Sequence, residues 1–129
     1  EERTAIGRLE EAAQLLAGHR RADLVEAVNR RRTPRLALDY SWDAPGHTQR
    51  IYCRSDHAMY ARYGIPVVFL FTGLHGDYHQ VSDEPQYIDY AHYASITGLV
   101  YDVAMELANR GSRPVVDKPK PDPKASCTQ

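Results

Sequence analysis

Ile65-Pro66-Val67-Val68-Phe69-Leu70-Phe71-Thr72-Gly73 contains the longest apolar run in the chain, and the fold turns on how it is read. Val67 to Phe71 is β-branched and aromatic, bounded by Pro66 on one side and Thr72-Gly73 on the other. It shows no polar alternation, which predicts a strand buried on both faces, as at the centre of an α/β sheet. Upstream, Leu36 to Tyr40 reads as a second strand leaving into the loop-like Ser41-Trp42-Asp43. Downstream, Ile96, Leu99, Val100, Val103 and Leu107 recur at helical spacing within a predicted helix from about Ile88 to Arg110. Asp89 is its candidate N-cap, and Arg110-Gly111 fits its end.

A helix over Ala22 to Arg32 would bury Leu24, Val25 and Val28 and stop before Thr33-Pro34, since a residue preceding proline resists the helical region. A short helix over Asp56 to Tyr63 is stopped by Gly64. Leu9 to Leu16 has a helical composition, but Leu15-Leu16-Ala17 before Gly18 reads equally as a strand entering a turn. Alternating strands and helices predict an α/β layer fold with a mostly parallel sheet and helices on its faces. Three strands and three helices would cover such a sheet only in part. Residues 1–116 form the expected folded unit. Lys118-Pro119-Lys120-Pro121-Asp122-Pro123-Lys124 opens an expected flexible, extended tail over 117–129.

Composition removes several function classes. The 129 residues are 43% hydrophobic and 26% charged, and sixteen basic against seventeen acidic residues give a formal charge of −1. Nothing in that balance suggests a polyanion partner, so nucleic acid is not expected. No apolar run approaches the roughly 20 residues of a membrane-spanning helix. Cys53 and Cys127 allow one disulfide but no disulfide scaffold and no multi-cysteine zinc module. Cys53 has no histidine partner legible in the sequence, which weakens a thiol-protease reading.

Ligands of α/β sheets gather at the carboxyl ends of strands, so the loop after Phe71 is the first candidate site. Thr72 to Asp83 carries His75, Asp77, Tyr78, His79 and Asp83 around Gly73 and Gly76. His75 and His79 have the four-residue spacing of a helical metal pair, but the two glycines argue against a helix there. Tyr52-Cys53-Arg54-Ser55-Asp56-His57 forms a second polar cluster. Within it, Asp56 reads either as a helix cap or as a carboxylate supporting a metal-binding histidine.

The stretch from Arg54 to Asp83, with Ser55-Asp56-His57, then Gly64-Ile65-Pro66 before the apolar run, then Asp77-Tyr78-His79 and Ser82-Asp83, resembles the later part of the di-zinc aminopeptidase family of peptidase clan MH. Ile88-Asp89-Tyr90 and the helix ending Glu106-Leu107-Ala108-Asn109-Arg110 extend the likeness. It implies a partial three-layer sandwich of the phosphorylase/hydrolase-like aminopeptidase type. By the resemblance His79 is a zinc ligand, and Tyr78 or Tyr52 is the hydroxyl that stabilises the oxyanion. Asp56 and His57 would then support the site from behind, and His75 would be structural or solvent-exposed.

The implied reaction is release of N-terminal amino acids from a peptide or aminoacyl substrate by metal-activated water, with two zinc ions in the complete domain. The resemblance places most other ligands before Glu1. The block Arg3-Thr4-Ala5-Ile6-Gly7-Arg8 carries Thr4 where the family has an acid, and a hydroxyl is a poor zinc ligand beside a carboxylate. This register favours the strand reading of Gln14 to Ala17. Tight zinc binding by these residues alone is not expected. Self-association, or a partner chain supplying the rest of the domain, is. The competing readings are a glutaminyl cyclase-like acyltransferase of the same fold and a degenerate, non-catalytic relative used for binding. Export from the cytoplasm is favoured by the resemblance only.

Overall fold

The computed structural model describes residues 12–16, 19–115 and 122–128. The Thr4 block lies outside them, as do residues 116–121 of the predicted boundary and tail. The elements run β1 (Ala12–Leu16), α1 (His19–Arg30), β2 (Ala37–Asp39), α2 (His57–Ala61), β3 (Phe69–Phe71) and α3 (Tyr90–Ala108). Short 3-10 turns occupy Ser41–Asp43, Ile51–Cys53 and Pro85–Tyr87.

The regular structure is predominantly helical, which corrects the expected α/β sandwich. The three α-helices hold 12, 5 and 19 residues, against strands of 5, 3 and 3. The strands form a small mixed sheet in the order β2-β1-β3 rather than a mostly parallel one. β1 runs parallel to β2, with Ala13 opposite Leu38, and antiparallel to β3, with Leu15 opposite Leu70.

The apolar run is therefore neither central nor doubly buried. Only Phe69–Phe71 joins the ladder, it does so at the edge of the order, and its three residues are half-buried. Pro66 lacks a backbone donor and has a fixed φ, which keeps the start of the run out of the ladder. Val68 is left exposed. Β-branched composition marks a strand here but not its length or its neighbours. The ambiguous segment near Leu15 resolves as the strand β1.

The core is built by helices on the sheet. Val25 and Val28 of α1 and Leu99 and Val103 of α3 pack with Leu36 at the entry to β2. Leu38, Leu70, Ile96 and Leu107 close around them, half-buried. The α3 stripe is narrower than its sequence suggested, because Val100 is half-exposed. Asp89 caps α3 as expected, accepting a hydrogen bond from the His92 N–H at 2.9 Å. The turn that follows α1 is also clasped to α3 by the Arg32–Asp102 ion pair and by Arg32 donating to the Ser95 carbonyl at 3.3 Å.

One polar side chain lies inside this packing. Asn29 is 4% exposed and sits in the last turn of α1. Its Nδ2 donates to the Leu36 carbonyl at 2.8 Å, and its Oδ1 accepts from the Leu36 N–H at 3.0 Å. The amide thus satisfies both backbone groups of a buried residue where the chain turns from α1 into β2, as burial of polar groups requires. Ile51, Ala58 and Ala61 are buried outside this core, where α2 meets the Ile51–Cys53 turn.

Cys53 and Cys127 are joined as a disulfide across 74 positions of sequence. The bond returns the described C-terminal segment, 122–128, to the body of the protein.

Candidate functional site

Period-two alternation gives β3 two different faces. Leu70 joins the α1–α3 core, whereas Phe69 and Phe71 stack on each other at 5.9 Å and meet the polar clusters. On one side, the His57 ring lies flat on Phe69, with centroids 4.3 Å apart, and meets the edge of Tyr52 at 5.9 Å. On the other, Phe71 meets Tyr78 edge-on at 6.4 Å and Trp42 at 5.5 Å. Tyr78 stacks on His79 at 4.0 Å with the planes 16° apart. A continuous file of rings therefore runs Tyr52–His57–Phe69–Phe71–Tyr78–His79, and joins the two clusters that the sequence left separate. Stacked and edge-on pairs of this kind add to what burial alone supplies.

The loop from Thr72 to Asp83 is shaped by local bonds. The Tyr78 N–H donates to His75 O at 3.1 Å and the Gln80 N–H to Asp77 O at 2.8 Å. Ser82 Oγ donates to Asp77 Oδ1 at 2.6 Å, so the Asp77 carboxylate is engaged in holding the loop. His79 adopts the left-handed conformation at φ 61°, a strained backbone for a residue with a Cβ. That conformation turns the chain sharply after Tyr78 and leaves His79 exposed. His75 is exposed too, and meets Tyr78 edge-on at 6.0 Å.

His57 is half-buried, with its ring against Phe69. Neither ring nitrogen makes a well-aligned hydrogen bond. Burial against Phe69 lowers its pKa below the ordinary imidazole value, outweighing the Tyr52 backbone and the Asp56 carboxylate, both of which favour the charged ring. Asp56 is exposed and stands at the N-cap of α2, but its side chain makes no capping hydrogen bond. Of its two sequence readings, the cap is thus not formed.

Four contributors are not legible as such in the sequence. Phe69 and Phe71 were credited to the core, although their i, i+2 spacing was the available signal that they share a face. Arg54 lies over the Tyr78 ring, 5.9 Å from its centroid, at a distance where a guanidinium is attracted to the ring face. Trp42 was taken only as part of a loop; it stacks on His47 at 5.2 Å as well as meeting Phe71.

Zinc sites require three or four protein ligands. Among the described residues no group of three or more His, Cys, Asp or Glu side chains is placed to hold a metal ion. The described residues therefore do not fit a complete zinc centre, and His79 stands among them as a single candidate ligand. Among the described residues, no helix is long and apolar enough to cross a membrane.

No curated protein and no solved structure matched the chain significantly. The model of peptidase family M28 matches residues 5–104, from ahead of β1 through most of α3, with both polar clusters inside the match. With the clan MH motifs on the loops around a continuous aromatic file, and a family match over most of its length, the chain belongs to peptidase family M28, the zinc-aminopeptidase family of that clan.

Proposed function

We propose that this chain is the later part of a zinc metallopeptidase domain that removes N-terminal amino acids from peptides or aminoacyl substrates. The observation that supports it is the pairing of Tyr78 and His79. A candidate metal ligand and a phenol lie face to face at 4.0 Å on the loop that follows β3. In the family, zinc supplies the activation of water. In this chain the reading assigns the positioning of groups and no step of metal chemistry, since the described residues hold one candidate ligand rather than a set.

The roles follow from the ring file. Tyr78 is braced between Phe71 and His79, with Arg54 over its ring, so its hydroxyl is carried on a fixed plane. Preorganised donors of this kind stabilise a developing oxyanion because they need no reorganisation during the reaction. Tyr52 is the competing donor, held by its contact with His57. His57 and Asp56 are positioning residues, His57 through its stack on Phe69 and Asp56 through its charge near that ring.

The test is turnover of an aminoacyl amide by a protein that joins these residues to the ligands that the resemblance places before Glu1. His79→Ala should abolish it. Tyr78→Phe or Tyr52→Phe, whichever removes the true donor, should cost about 10²–10³ in kcat with KM nearly unchanged. Small and equal effects from both tyrosines would refute the donor assignment.

A degenerate, non-catalytic relative is the second reading, and Thr4 in the position of an acidic ligand favours it. Retention of the fold with no turnover in that same protein would establish it over the peptidase.

A further inference from the structure

The segment Asp122–Thr128 is held to the protein in an unusual way. Its turn is closed internally, with the Ala125 N–H donating to Asp122 O at 3.0 Å and the Lys124 N–H to Asp122 Oδ1 at 2.9 Å. Two arginines flanking the Tyr52–His57 cluster reach it. Arg50 donates to the Cys127 carbonyl at 2.6 Å, and Arg62 to the Ala125 carbonyl at 3.1 Å. No residue of the segment is buried; Pro123 and Cys127 are half-buried and the others exposed. None of them belongs to the core of Val25, Val28, Leu36, Leu99 and Val103.

Exposed hydrogen bonds compete with water and contribute little against the entropy of ordering a chain. The Cys53–Cys127 bond is thus what keeps the segment in place. Its other end lies at a sensitive point. Cys53 closes the Ile51–Cys53 turn directly after Tyr52, whose ring meets His57. Arg50, three residues before Cys53, donates to the Cys127 carbonyl, so the two ends of the bond share this one contact.

We propose that Cys53–Cys127 is a redox-operated tether. A dithiol reductant opens it, Asp122–Thr128 leaves Arg50 and Arg62, and the turn carrying Tyr52 is freed while the α1–α3 core stays folded. The step is balanced by the reductant. It delivers two electrons and two protons, the S–S bond breaks, Cys53 and Cys127 become thiols, and the dithiol closes to its own disulfide. Release of the segment stands on the contacts alone. Its meaning as regulation rests on the assignment of Tyr52 to the site.

The test is nuclear magnetic resonance of the ¹⁵N-labelled chain, oxidised and in excess dithiothreitol. Reduction should drop the heteronuclear NOE of Asp122–Thr128 to tail-like values and shift the amides of Tyr52, Cys53 and His57. Signals of Val25, Val28, Leu99 and Val103 should stay in place, and reoxidation should restore the first spectrum. Cys127→Ser should reproduce the reduced spectrum without reductant. A segment that stays rigid on reduction, or a core that collapses with it, would overturn the tether. So would release with no shift at Tyr52 or His57. The peptidase assignment fails separately, through the turnover measurements, so the two failures are distinguishable.

Discussion

Asn29→Ala removes one side chain and strands two backbone groups. The amide donates to Leu36 O at 2.8 Å and accepts from Leu36 N at 3.0 Å, while Leu36 is only 9% exposed. A buried donor or acceptor left without a partner costs roughly 1–3 kcal/mol. Two of them set an expected loss of about 3 kcal/mol, because water entering the small cavity recovers part of the sum. With an m-value of about 1.5 kcal/mol/M, ordinary for a domain of this size, the urea midpoint should fall by about 2 M at unchanged slope. Asn29→Asp separates the two bonds. The carboxylate still accepts from the Leu36 N–H but faces the Leu36 carbonyl with no donor. Burial would raise its pKa above the ordinary value of about 3.9, so the variant should be strongest at low pH. It should lose stability as pH rises from there through the raised folded value. A loss below about 0.5 kcal/mol for Asn29→Ala would refute the view that this amide locks α1 to β2.

Other outcomes follow from the site and the surface. His57 has a lowered pKa through burial. The unfolded chain therefore binds a proton more readily, and stability should fall as pH drops below about 6.5, levelling off below the folded value. His57→Phe should flatten that limb in urea titrations repeated across pH. Zinc titrated calorimetrically into metal-free chain should show no submicromolar site; a tight site lost in His79→Ala would reveal further ligands beside His79. An apolar groove of about 380 Å³ runs between α1, α3 and the residues before β3, lined by Leu24, Val68, Ile96 and Val100 among others. Sedimentation velocity over a concentration series should show self-association through this kind of surface, and a clean monomer throughout would contradict it.

Legibility in the sequence followed the range of the interactions. The α3 stripe and its Asp89 cap were readable because both depend on residues within a few positions of each other. The end of α1 before Thr33-Pro34 was readable for the same reason, although the helix stops at Arg30. β3 was over-read, since an apolar run without alternation looks identical whether both faces meet helices or one meets aromatic side chains. Phe69 and Phe71 are oriented by β1 and by His57, Trp42 and Tyr78, none of which is adjacent in sequence. Position after a strand and polar composition mark both clusters, and motif resemblance gives the family, but neither shows that one file of rings connects them. The Cys53–Cys127 pairing spans 74 positions, far beyond any local signal.

Trp42 is the only tryptophan in the chain. Its indole lies between His47 and Phe71, and Phe71 is the ring against which Tyr78 rests. The protein consequently carries an intrinsic optical probe separated from His79 by two rings, Phe71 and Tyr78, with no second emitter of its kind to obscure it. Movement of the Thr72–Asp83 loop, or docking of a ligand on it, changes the packing around that indole and so its emission wavelength and intensity. Every substitution along the file can thus be followed by fluorescence in dilute solution, without a substrate, a label or turnover.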